Sequence, residues 1–171
     1  MNELPTKFTS IIFTDDDLLN NIKREVGEIW HAHSKMTFAL IHFLAQLSDG
    51  IIGEEAVHKY AHLPTGRIIE KIKKFRSAEC IEECDRLNNL RNYVMHGTLV
   101  EIVYREFEDI ESGIAEMEIG SLADHEIGFM KARDGQPDFA SFKEINFYGL
   151  AQEMLSVASE IRQLTLECRT K

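Results

Sequence analysis

The stretch ECIEECDRLNNLRNYVMHGTLVEIVYREF, residues 79–107, decides how the rest of the chain is read. Its first part spaces Ile81, Cys84, Leu87, Leu90 and Val94 by three and four, the period of one helix face. Gly97 then stands where a helix C-cap belongs. Beyond it, Leu99, Ile102, Tyr104 and Phe107 lie in a run rich in valine, isoleucine and aromatics, which favours strand. The spacing predicts a helix over Glu79–His96 that hands the chain to a sheet.

Upstream, Leu18, Ile22, Val26, Ile29, His33, Met36, Leu40, Phe43 and Leu47 recur at the same helical spacing. They predict one long amphipathic helix, or two with a bend near Gly27. Thr14 offers a capping hydroxyl and Asp15 to Asp17 suit the positive end of the dipole. Asp49-Gly50 ends the pattern. Two short helices follow, Glu54 to His62 and Arg67 to Arg76, broken by Pro64-Thr65-Gly66. Before the long helix, Met1 to Thr14 reads as a lead-in with an extended piece at Ser10 to Phe13.

Downstream, Ile114 to Ile119 and Glu126 to Ala132 read as two more strands, with turns at Ser112-Gly113 and Asp134-Gly135. Ser141 to Glu144 is a capping box, from which a last helix runs to Glu167 on the stripe Leu150, Met154, Val157, Ile161 and Leu164. The expected fold is mainly α: an antiparallel helical bundle with a small antiparallel β-meander inserted near residues 99–133, all in one domain over residues 1–171.

Composition narrows the function. The chain is 44% hydrophobic and 28% charged, ordinary for a globular protein, and no apolar run approaches a membrane span. The first ten residues lack a signal-peptide core, so a cytoplasmic setting without membrane attachment is expected. Cys80, Cys84 and Cys168 fit packed, reduced thiols better than a disulfide framework or a metal site. No cofactor is expected. A net charge of −10 argues against coating nucleic acid by bulk electrostatics, though not against a local basic site.

One such patch exists. Arg67, Lys71 and Lys74 share a helix face, with Lys73 and Arg76 nearby. It reads as a solvated face or as a surface that tracks RNA phosphates. His31 and His33 are two apart and cannot chelate together, whereas His58 and His62 are four apart and could. His33 is the single polar member of its stripe, fit for a core histidine bonded to a carbonyl or for a subunit contact. The acids of the meander, Glu101 to Glu118, fit a solvated face.

Chemistry concentrates at Arg91-Asn92-Tyr93-Val94-Met95-His96. Arg91 and His96 lie roughly 140° apart around a helix, so one copy makes no tight pair. Two copies across a two-fold axis bring together two guanidiniums and two imidazoles, enough to cleave a phosphodiester without metal. Asn92 could orient the phosphate or the substrate hydroxyl. Equally, Arg91 could pair with Glu83 or Glu28, and His96 could cap carbonyls at the helix end.

This segment resembles the Arg-x4-His signature of the HEPN superfamily (higher eukaryote and prokaryote nucleotide-binding), including the polar residue after the arginine. The long first helix around Gly27 to Trp30, the run Leu87 to Asn92, the strands after Gly97 and the closing helix are similar to bacterial members with a strand insertion. The resemblance implies catalytic roles for Arg91, Asn92 and His96 in a homodimeric, metal-independent endoribonuclease of toxin or defence type. It implies an RNA substrate and, as a further partner, an antitoxin or regulatory protein. It equally allows a catalytically inactive dimer that binds nucleotides or partners, or regulates. An acid on the first helix, Glu25 or Glu28, could assist. Thr98 stands where some toxins carry a modifiable tyrosine.

Overall fold

The apolar stripe between residues 18 and 47 forms one uninterrupted helix, α1 (Asp16–Asp49), about 50 Å long. It does not break at Gly27, and it ends at Gly50, whose φ of 68° is left-handed. The computed structural model describes residues 7–9, 16–104, 124–133 and 136–169. Along it follow β1 (Lys7–Thr9), α1, α2 (Glu54–Tyr60), α3 (Thr65–Phe75), α4 (Glu79–His96), β2 (Thr98–Tyr104), β3 (Asp124–Arg133), β4 (Gln136–Ser141) and α5 (Leu150–Arg169).

The helices share one core. Ile29, Met36, Leu40 and Phe43 of α1 meet Ile68, Ile69 and Ile72 of α3, Ile81 and Leu87 of α4, and Leu150, Met154 and Ile161 of α5, all essentially sealed from water. Burial of such side chains stabilises by about 1.5–3 kcal/mol each. Leu90 and Leu164, at the edges of their stripes, pack on the core half-buried. Thr37 Oγ1 meets Thr65 Oγ1 at 3.0 Å, joining α1 to the start of α3. Lys73 pairs with Glu82 and Asp85 at 2.7 and 2.8 Å, joining α3 to α4. At the far end of α1, Asp49 accepts hydrogen bonds from Lys59 and Tyr60 of α2, which hold its carboxyl well below the usual range.

The meander expected after α4 is present, displaced toward the C-terminus. β2, β3 and β4 pair antiparallel in sequence order, with Leu99 opposite Phe129 and Lys131 opposite Asp138. β1 extends the sheet on its other edge, Lys7 opposite Tyr104. Ser10 to Thr14, Phe107, the strand expected at Ile114 to Ile119 and the two expected turns lie outside the described residues. Because β4 occupies residues 136–141, the meander reaches past the expected limit of 133.

The last helix also begins later than its capping box suggests. The box forms: Ser141 N–H donates to Glu144 Oε2 at 3.0 Å and Glu144 N–H to Ser141 Oγ at 3.2 Å. Turns then occupy residues 142–149, and α5 starts only at Leu150. Asn146 adopts φ 46°, a conformation that stops a helix and that asparagine tolerates. The detour lets Phe142 and Phe147 stack at 4.1 Å, with Phe129 of β3 beside them at 5.4 and 5.7 Å. This aromatic knot fastens the sheet to the bundle.

Candidate functional site

The turn of α4 divides its last residues between two directions. Asn88 and Val94 are buried, Arg91 is half-buried among them, and Met95 packs on the core. His96, at the helix end, is exposed. Tyr93 OH donates to Asp138 of β4, and the Lys131 ammonium of β3 lies 5.8 Å from the Tyr93 ring. Lys131 and Asp138 are themselves cross-strand neighbours, so the Tyr93 side of α4 is held against the sheet.

Gly97 makes that approach possible. It is the C-cap, as expected, but its φ is −81° and its backbone extended, not left-handed. A Cβ there would sit 2.5 Å from the Tyr93 carbonyl oxygen and 2.9 Å from Phe129 Cβ. Glycine is needed for closeness, not for handedness.

Arg91 is charged and has no carboxylate partner among the described residues. Its Nη1 donates to Asn92 Oδ1 at 3.2 Å, and its buried Nε has no hydrogen-bond partner among the described residues. Glu83 is taken by Arg86, which bonds it at 2.6 and 2.9 Å and reaches Glu153 at 2.5 Å. Glu28 is exposed on α1, and Glu25 lies 3.6 Å from Arg24. Burial draws the Arg91 pKa below its ordinary 12.5, which still leaves a full charge at neutral pH.

Behind Arg91 lies a histidine whose role the spacing alone did not reveal. His33 is 8% exposed, and its Nε2 stands 3.2 Å from Asn88 Oδ1. An amide oxygen only accepts, so Nε2 carries the proton. Asn88 precedes Arg91 by three residues, on the same side of α4. Burial lowers the His33 pKa below 6.5, and the Arg91 charge adds to the effect, although the bond to Asn88 opposes it. His33, Asn88, Arg91 and Asn92 thus lead from the core between α1 and α4 to the surface. The lone polar position in the α1 stripe was the signal for His33. Asn88, one of two adjacent asparagines, gave none.

The other candidate residues are dispersed. Arg67 is paired with Glu70 at 2.8 Å, and Lys73 with Glu82 and Asp85, so much of the α3 positive patch is neutralised, while Lys71 and Lys74 remain exposed. His58 and His62 are exposed, with His62 beyond the end of α2. His31 is exposed where His33 is buried. Cys84 is sealed in the core, and burial pushes its thiol up to about 12. Among the described residues no single helix is long and apolar enough to cross a membrane.

Compared with known protein families, with curated proteins and with solved structures, the chain shows no significant match.

Proposed function

We propose that this chain is a metal-independent endoribonuclease of HEPN type, acting as a homodimer whose two copies of Arg91, Asn92 and His96 form one cleft. The observation that carries the reading is the guanidinium of Arg91, which has no carboxylate partner among the described residues. A half-buried cation without a carboxylate costs stability, and an anionic ligand offsets that cost. The exposure of His96 leaves it free to meet a second copy across a two-fold axis.

In that cleft one neutral His96 accepts the proton of the ribose 2′-hydroxyl, and the oxygen attacks phosphorus. The partner's His96, as imidazolium, protonates the leaving 5′-oxygen. The two Arg91 side chains neutralise the charge on the pentacoordinate phosphorus, and Asn92 holds Arg91 in place. The products are a 2′,3′-cyclic phosphate and a 5′-hydroxyl. A toxin or defence role, restrained by an antitoxin or regulatory protein, belongs to the same reading.

The test is incubation with structured RNA in excess EDTA. Wild type should cleave to a cyclic phosphate, His96→Ala should lower turnover by about 10² or more, and Arg91→Lys should also impair it, because an ammonium lacks the bidentate fork. Equal cleavage by wild type and His96→Ala would assign the activity to a contaminant or to another site. Cleavage of all-deoxy substrate, or strict dependence on added magnesium, would defeat the 2′-hydroxyl route. RNA bound but never cut would identify an inactive binding dimer.

A further inference from the structure

A second surface, independent of Arg91 and His96, combines features that the ribonuclease reading does not use. Between α1 and α5 runs an open groove of about 300 Å³. Phe38 of α1 and Leu166 of α5 line it and remain 49% and 54% exposed, although both are large apolar side chains. Ala39 and Thr165 supply its buried lining. His42 packs edge-on to Phe38 at 4.5 Å. Burial and then the charge of Arg169 hold its pKa below the ordinary value, so it adds no charge at neutral pH.

The groove is flanked by cations. Arg162 and Arg169 of α5 both line it, both are exposed, and neither has an ion pair among the described residues. The two guanidiniums therefore place a local positive field on a chain of net charge −10. Arg162, Leu166 and Arg169 stand at i, i+4 and i+7, one side of α5, with about 10 Å from first to last along the axis. The surface therefore reads cation, apolar, cation over two helical turns, beside an apolar wall.

We propose that this groove docks an amphipathic helix of a partner protein that presents acid, apolar and acid residues at i, i+4 and i+7. Charge complementarity selects the acids, and the period of α5 matches that of an opposing helix. A helix laid along α1 and α5 would cover Phe38 and Leu166 together. A small anion in so open a groove would stay largely wet, since small-ligand sites enclose most of their ligand.

The test uses two labelled, alanine-based helical peptides of about 18 residues, long enough to be helical in water. One carries Glu, Leu and Glu at the stated spacing, the other Lys, Leu and Lys. Fluorescence anisotropy at low salt should show the acidic peptide binding at least tenfold more tightly, with the preference fading as salt rises. Arg162→Glu/Arg169→Glu should reverse the preference, and Leu166→Glu should abolish binding of both peptides. All three positions are exposed, and circular dichroism matching wild type would show that these variants are folded. Equal binding of the two peptides, no binding of either, or a preference unmoved by the charge reversal would overturn the proposal. So would 1-anilinonaphthalene-8-sulfonate bound one to one by wild type and lost in the same variants while the acidic peptide fails to bind, which would mark a small-anion pocket. Self-association that Leu166→Glu abolishes, without peptide binding, would make a second copy the occupant and overturn it too. None of these variants alters the ribonuclease site, so the two readings fail separately.

Discussion

A histidine buried between α1 and α4 makes the stability of this protein depend on pH in a predictable sense. The His33 pKa is lowered from 6.5 in the fold, first by burial. Below that ordinary value the unfolded chain takes up a proton that the folded chain resists. The stabilisation is therefore complete above the unfolded pKa and is lost as pH falls from there toward the folded pKa. Urea midpoints should fall between about pH 7 and pH 5, and His33→Gln should flatten that slope. An unchanged slope would show that other groups set it. Arg91, one helix turn from Asn88, predicts the opposite of a structural ion pair. Arg91→Met keeps the volume and removes a cation that has no carboxylate partner among the described residues, so stability should stay level or rise by about 0.5–1 kcal/mol, while the proposed RNA cleavage should be lost. A clear fall in the melting temperature would mean that the guanidinium holds the fold together. The sequence exposed both residues, His33 by breaking an apolar stripe and Arg91 by its motif. It did not expose their proximity, because His33 lies on α1 and Arg91 on α4, and only the packing of the two helices brings them together.

Elements were legible wherever period alone determined them. The inward stripes of α1, α4 and α5 fall where the apolar spacing placed them, because each has a single core to face. Errors gathered where the chain stops obeying period. β4 contains Pro137 and too little alternation to read as a strand. β1 is recognisable only through its pairing with β2, far away in sequence. The capping box of Ser141 forms its hydrogen bonds yet leads into turns, because the stacking of Phe142 and Phe147 competes with helix continuation. Gly97 marks the α4–β2 junction for a steric reason that no capping rule states. Gly97→Ala would push a methyl group into the Tyr93 carbonyl and Phe129, and should cost about 1–3 kcal/mol in a urea titration. A change below about 0.5 kcal/mol, the range of ordinary surface substitutions, would show that the junction yields easily. The same variant should loosen the Tyr93 to Asp138 contact, seen as faster amide exchange in β4 than in α5.

At the scale of the molecule the decisive question is how many copies the proposed site needs. Arg91 is half-buried and His96 is exposed at the end of α4, and five residues of helix set them roughly 140° apart, so a single chain presents one guanidinium and one imidazole in divergent directions. The proposed cleavage uses one imidazole as general base and another as general acid, and the motif supplies one per chain. Exposed Trp30 on α1 offers apolar area for a contact between copies. Sedimentation at micromolar concentration should therefore show a species of twice the 19.6 kDa chain mass. Subunit mixing makes the prediction sharper. Wild type is equilibrated with increasing His96→Ala protein at constant total concentration. If one cleft draws a histidine from each copy, mixed dimers are inactive and only all-wild-type dimers cleave. Activity should then follow the square of the wild-type fraction. If each chain carries a complete site, activity should fall in direct proportion to that fraction. A linear decline with a stable dimer would refute the composite site while leaving room for a nuclease. A linear decline with only the single-chain species would remove the two-fold axis on which the proposed chemistry depends.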